Sequence, residues 1–171
     1  MRKLLLALAL ILGGCAAAWA SGVDDLVAEG RAAIAARDIV KAMTAFTKAL
    51  DTEPYDAMAA YERGKLLIMI GEPVKAIADL TTAVLSDPAN GKAFSRRGEA
   101  KLLLKDSKGA AEDFDLAITA APNDFEVFVA RASYRLRIGD IPGARADLEQ
   151  AKTRADSETA KTIGEMLGNM Q

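Results

Sequence analysis

An interval of 34 residues, kept without insertion or deletion, divides most of this chain into four copies. Gly30, Gly64, Gly98 and Ala132 fall on it. So do Ala42, Ala76, Ala110 and Ala144, then Ala49, Ala83, Ala117 and Ala151, and the large residues Phe46, Leu80, Phe114 and Leu148. Pro54, Pro88 and Pro122 close the first three copies, and Asp156 takes that place in the fourth. A period of this length means one supersecondary unit stacked on itself, each copy covering the apolar face its neighbour exposes. The copies run Val23–Asp56, Ala57–Asn90, Gly91–Asp124 and Phe125–Glu158.

Each copy reads as two helices. In the second, Gly71-Glu72-Pro73 separates a helix predicted over Ala59–Ile70 from one that runs to Ser86. Glycine ends a helix in the left-handed conformation, and proline suits the next first turn because its missing N–H would be unpaired there anyway. Gly139-Asp140-Ile141-Pro142 repeats this punctuation. Ala76, Leu80, Ala83 and Val84 fall at i, i+4, i+7 and i+8, one apolar helix face. Glycine or alanine where two helices cross lets their axes approach, and the large residue of each copy fills the adjoining layer.

A small residue in the first helix, then Ala-x-x-x-Phe and Pro in the second, resembles the tetratricopeptide repeat. The resemblance covers 23–158 and implies an all-α, right-handed α-solenoid of four helix-turn-helix repeats. A short C-terminal capping helix over 157–171 is expected to follow, with Ala160, Ile163, Leu167 and Met170 inward and Lys161 and Glu165 toward water. There are departures: the family's early aromatic position holds Leu26, Ala60, Phe94 and Phe128, and its tyrosine position holds Ala33, Leu67, Lys101 and Arg135. Arg63, Arg97 and Arg131 also recur at 34, as do Asp79, Asp113 and Asp147, and are expected to form helix-to-helix ion pairs within or between repeats.

The amino terminus carries an export address over residues 1–20. Met1-Arg2-Lys3 is cationic, and Leu4–Leu12 is apolar but too short to span a bilayer. Two processing sites compete. Ala18-Trp19-Ala20 before Ser21 fits ordinary signal cleavage after Ala20. Leu12-Gly13-Gly14-Cys15 resembles the bacterial lipobox, which implies lipidation of Cys15 and an outer-membrane anchor. Both place the protein in the periplasm.

Composition narrows the chemistry. The chain has no histidine, and Cys15 is its one cysteine, which removes most zinc sites, imidazole acid-base work and hydrolase dyads. With 22 Lys and Arg against 24 Asp and Glu, the net charge of −2 gives no basis for nucleic-acid binding. The expectation is a non-enzyme with no catalytic, cofactor or metal site. The resemblance and the export address together imply an interaction scaffold of the bacterial cell envelope, touching membrane only through a lipid at Cys15.

By the resemblance, positions two, five, six, nine, twelve and thirteen of each copy face a concave groove that holds a peptide or protein segment. The candidates are Arg31, Met58, Tyr61, Lys65, Met69, Lys92, Arg96, Glu99, Val129, Ser133 and Arg137, with Val27, Ile34, Glu62, Ser95, Leu103 and Glu126 beside them. Cationic groups flanked by Tyr61, Met58 and Met69 suit an acidic or C-terminal peptide. The subfamily that clamps the Glu-Glu-Val-Asp terminus of chaperones is not matched: Lys92 and Arg96 fit its third repeat, but Val27, Arg31 and Glu62 break the first two. Two other readings remain open. One is a self-assembling envelope subunit; the other is an accessory subunit of a cell-wall enzyme using carboxylates such as Glu112, Asp113 and Asp115.

Overall fold

The computed structural model describes residues 22–170; Cys15 and the cleavage site after Ala20 lie outside them. Among the described residues the chain is helical, with no strand. The first hairpin is α1, helical over residues 22–35, with α2 (Ile39–Thr52). The second is α3 (Ala57–Met69) with α4 (Pro73–Ser86), and the third α5 (Gly91–Leu103) with α6 (Ser107–Ala120). The fourth is α7 (Phe125–Arg137) with α8 (Ile141–Lys152), and α9 (Ser157–Gly168) packs on α8. Four repeats and a C-terminal helix thus make the solenoid.

Polar caps set the helix starts. Asp38, Asp56, Asn90, Asp106, Asp124, Asp140 and Asp156 each accept a backbone N–H from the turn they precede. Such a cap satisfies a donor the helix itself leaves unpaired. Because Asp56 caps α3, that helix begins at Ala57, two residues before the start predicted from the apolar pattern. Among α2–α9 only α4 lacks a side-chain cap, and there Pro73 opens the helix. The turn inside each hairpin passes through the left-handed region at one register position: Arg37 (φ 61°), Gly71 (φ 80°), Lys105 (φ 63°) and Gly139 (φ 80°).

The 34-residue pattern becomes packing. A Cβ on Gly30 would lie 2.6 Å from Cζ of Phe46, and one on Gly64 would lie 2.7 Å from Cγ of Leu80. The small residue of the first helix is therefore the seat of the large residue of the second. Where the fourth copy has Ala132, its partner layer holds the smaller Leu148, and both are buried in one cluster. Ala42, Ala76, Ala110 and Ala144 are fully buried. Replacing Ala110 with leucine should overpack the crossing and cost about 1–3 kcal/mol, seen as a lower thermal midpoint.

The recurring charges join the two helices of one hairpin. Arg63 donates to both carboxylate oxygens of Asp79 at 2.6 and 2.8 Å, Arg97 to those of Asp113 at 3.0 and 2.7 Å, and Arg131 to those of Asp147 at 3.0 and 2.7 Å. The remaining guanidinium nitrogen reaches the preceding hairpin, to Thr47 and Thr81 at 3.4 Å and to Asp115 at 2.7 Å. The hydrogen bonds to Asp79 and Asp147 raise the pKa of Arg63 and Arg131 above the ordinary guanidinium value, more than burial lowers it. Lys101 and Arg135, which replace the family tyrosine, add a second cation to Asp113 at 2.9 Å and to Asp147 at 2.8 Å.

The fourth copy ends differently for a visible reason. Asp156, in place of proline, accepts the N–H groups of Glu158 and Thr159 and the hydroxyl of Thr159, so it starts the cap helix. Ile163 and Leu167 of α9 are buried against α8, and Arg145 donates to the carbonyls of Leu167 and Met170 at 3.2 Å each. The Asp156 carboxyl is held below its usual 3.8, chiefly by the backbone N–H of Thr159. A depressed folded-state pKa means that this stabilisation is present above the ordinary value and lost as pH falls through the lowered one. Carbon chemical shifts of α9 should therefore keep their helical character down to the ordinary carboxyl value of 3.8 and lose it as the pH is taken lower. Asp156→Asn should flatten that dependence.

Candidate functional site

The first helices of successive hairpins touch one another, α3 with α5 and α5 with α7, whereas among the described residues the second helices do not. The inside of the curve is therefore lined by α1, α3, α5 and α7. Along it Met58 and Met69 are exposed, Tyr61 is half-buried, and Arg31, Lys65, Lys92, Arg96 and Glu99 are partly exposed. Ser133 and Arg137 are exposed on α7. Ser133 donates its hydroxyl to the carbonyl of Val129 one turn back at 2.9 Å, and Val129 packs against the α7–α9 core.

The charges on this face pair across the repeats. Glu62 is buried, and it receives Arg31 of the preceding hairpin at 2.8 Å and Lys65 of its own helix at 2.9 Å. Arg31 also donates to the sulfur of Met58 at 2.8 Å, and Lys65 lies over the Tyr61 ring, 5.1 Å from its centroid. Lys92 bridges to Glu126 of the next hairpin at 2.7 Å and Asp124 at 3.6 Å; the hydrogen bond to Glu126 raises its pKa. Arg96 pairs with Glu99 one turn along at 2.9 Å. One expectation changes. Val27 belongs to the core, 4% exposed, and does not line the groove. The charge of Glu62 is offset by its two cations.

Three hollows open between these side chains. One of about 250 Å³ has apolar walls from Ile34, Leu66, Ile68 and Met69, with Lys65 and Arg96 as its charges. A second, about 280 Å³, is bounded by Ile68, Leu102, Leu103, Tyr134, Glu99 and Arg137. Tyr134 is fixed by stacking on Phe114 with centroids 5.2 Å apart. A small polar notch of about 50 Å³ lies between Tyr61, Lys92, Ser95, Arg96, Glu99 and Glu126. Ser95 is 5% exposed and its hydroxyl has no hydrogen-bond partner among the described residues. Each pair of hollows shares a residue: Ile68, Arg96 or Glu99. Ile68 and Leu102 were not among the candidates, although both stand at position twelve, one of the groove positions.

Two of the three carboxylates of the enzymatic alternative are already paired. Asp113 is buried between Arg97 and Lys101, and Asp115 pairs with Arg131.

Comparison with known proteins agrees with this architecture. The tetratricopeptide repeat family profile matches residues 27–80 and 70–125, together more than half of the chain. The chain is similar to the Sgt2 TPR domain from Aspergillus fumigatus, at 30% identity and TM-score 0.64 over 69% of this chain and 80% of that one. It also resembles MamA from Desulfovibrio magneticus RS-1 at 23% identity and TM-score 0.66, over 77% of this chain and 75% of that one. The first TPR of Spaghetti (RPAP3), bound to the HSP90 peptide SRMEEVD, is 23% identical with a TM-score of 0.63, over 70% of this chain and 94% of that one. No curated protein matches the chain.

Proposed function

From the premise that the chain belongs to the tetratricopeptide repeat family, whose domains are protein–protein interaction scaffolds, we propose that it is a non-catalytic adaptor of the bacterial cell envelope. It binds a protein or peptide segment in its concave face. The observation that carries this reading is the set of contiguous hollows on that face, apolar in their walls and rimmed by Lys65, Arg96 and Arg137. Recognition in such a groove draws affinity from apolar contact and register from polar groups. The neighbour solved with a bound peptide supports the same use of the fold.

The reading is tested by proximity labelling in cells with the wild type and with Lys92→Glu combined with Arg96→Glu. Loss of a principal partner is expected, with Leu116→Glu on a second helix retaining it. Retention of every partner by the double variant would move the binding surface off the groove.

Export rests on Met1–Ala20 alone. We propose acylation of Cys15 and outer-membrane attachment, with cleavage after Ala20 into the soluble periplasm as the competing outcome. Labelled fatty acid should enter the wild type and not Cys15→Ser, and fractionation should follow the label. Unlabelled wild type in the soluble fraction would decide for Ala20.

A further inference from the structure

We propose that the edge of the solenoid built from the turns inside its hairpins, α1–α2 through α7–α8, docks on an anionic lipid surface. Large exposed apolar side chains collect there: Val40 (78% exposed), Val74 (67%), Ile138 (55%), Ile70, Leu104 and Ile141. Neighbouring turns form one continuous edge, since Val40 and Ile70 border the same shallow hollow. Ile70, Leu104 and Ile138 recur at the 34-residue interval, which makes them a row, one to each of the last three hairpins.

Cations alternate with this row. Arg37, Lys105, Lys108 and Arg137 make no ion pair or side-chain hydrogen bond among the described residues, while Lys41 and Lys75 pair with Glu29 and Glu72. The edge's Asp38, Asp106 and Asp140 each commit an oxygen to a helix N-terminus. Arg37 and Lys105 occupy the left-handed positions where the other two hairpins carry glycine. A side chain there costs backbone energy that glycine would not, and strain of this kind points to a use for the side chain. The opposite edge is acidic on balance: Asp51, Glu53, Asp87, Asp124 and Glu158 outnumber Lys92, which pairs with Asp124, and Arg154, which donates to the carbonyl of Pro122. The net charge of −2 therefore conceals a segregation of sign from one edge to the other.

Apolar groups interleaved with Lys and Arg are the composition of an interfacial element, where side chains enter the headgroup–acyl boundary and cations meet anionic lipids. The row is shallow and distributed, unlike the shaped hollows of the concave face, and a fluid surface can receive it without a matching contour.

The test uses the full chain carrying Trp19→Phe, with one reporter at a time: Ile70→Trp, Leu104→Trp, or Leu116→Trp on a second helix. Vesicles of phosphatidylglycerol and phosphatidylethanolamine should shift the emission of the first two to the blue, brominated lipids should quench them, and Leu116→Trp should remain unchanged. Lys105→Glu with Lys108→Glu should weaken this edge insertion about tenfold. Leu4–Leu12 can bind vesicles by itself, so the depth of the reporter, and not attachment, is decisive. Unshifted edge reporters on vesicle-bound protein would overturn the proposal. So would equal quenching of Leu116→Trp, insertion into phosphatidylcholine alone to the same extent, or edge substitutions that instead abolish self-association in sedimentation without lipid.

Discussion

Replacing Asp113 with alanine will destabilise the protein by about 3–5 kcal/mol, read as a fall in the urea midpoint. Asp113 is 1% exposed and lies between Arg97 at 2.7 Å and Lys101 at 2.9 Å. Removing the carboxylate strands two partly buried cations between α5 and α6, and the loss is mostly that of uncompensated charge. The triple change Asp113→Leu, Arg97→Met and Lys101→Met should recover most of the stability, because apolar groups of similar volume need no counter-ion. Asp115→Ala gives the contrast: its side chain is 68% exposed to water, and its loss should cost at most about 1 kcal/mol. Equal effects at the two positions would show that burial does not set the value of these pairs.

The second large effect falls at Gly91. A Cβ there would lie 2.6 Å from the carbonyl oxygen of Ala117, 2.7 Å from Cβ of Ala121 and 3.0 Å from Cγ1 of Val127. The first obstacle is backbone of the partner helix and cannot rotate away. Gly91→Val should therefore cost about 3 kcal/mol, the upper end of overpacking, and separate α5 from the α6–α7 junction. Gly98 is also a buried glycine on α5, yet its nearest contacts to an added Cβ are 3.2 Å to the Phe114 ring and 3.3 Å to the carbonyl of Ala110. Gly98→Ala should be near neutral, the gain of up to about 1 kcal/mol in helix propensity offsetting the tighter fit. Thermal melts of the two variants check both statements, and the fourth copy already carries alanine at that register.

These two sites also show what a period reveals and what it hides. The solenoid was legible because Gly30, Gly64, Gly98 and Ala132 and their large partners repeat on one interval, and packing between equivalent positions repeats with them. The charge pattern of the groove was not. Arg31 at position nine of one copy meets Glu62 at position six of the next, and Lys92 at position two meets Glu126 at position two of the following copy. Sequence alignment compares like positions and says nothing of which unlike positions face each other across a hairpin. For the same reason the left-handed conformation of Arg37 and Lys105 was obscured: only Gly71 and Gly139 announce it by residue type. Val27 stands at a groove position by register, yet its side chain is buried in the first core cluster.

The arginine that fastens each of the last three hairpins has no counterpart in the first, where Glu29 and Ala45 stand at the two register positions. If the chain hangs from its amino terminus, tension enters through the one unit without that buckle. Pulled in this direction, the array should yield link by link from its tethered end, α1–α2 peeling away while the later units keep their shape. A tug of modest size would then slacken the leash before it disturbed whatever the remaining units hold.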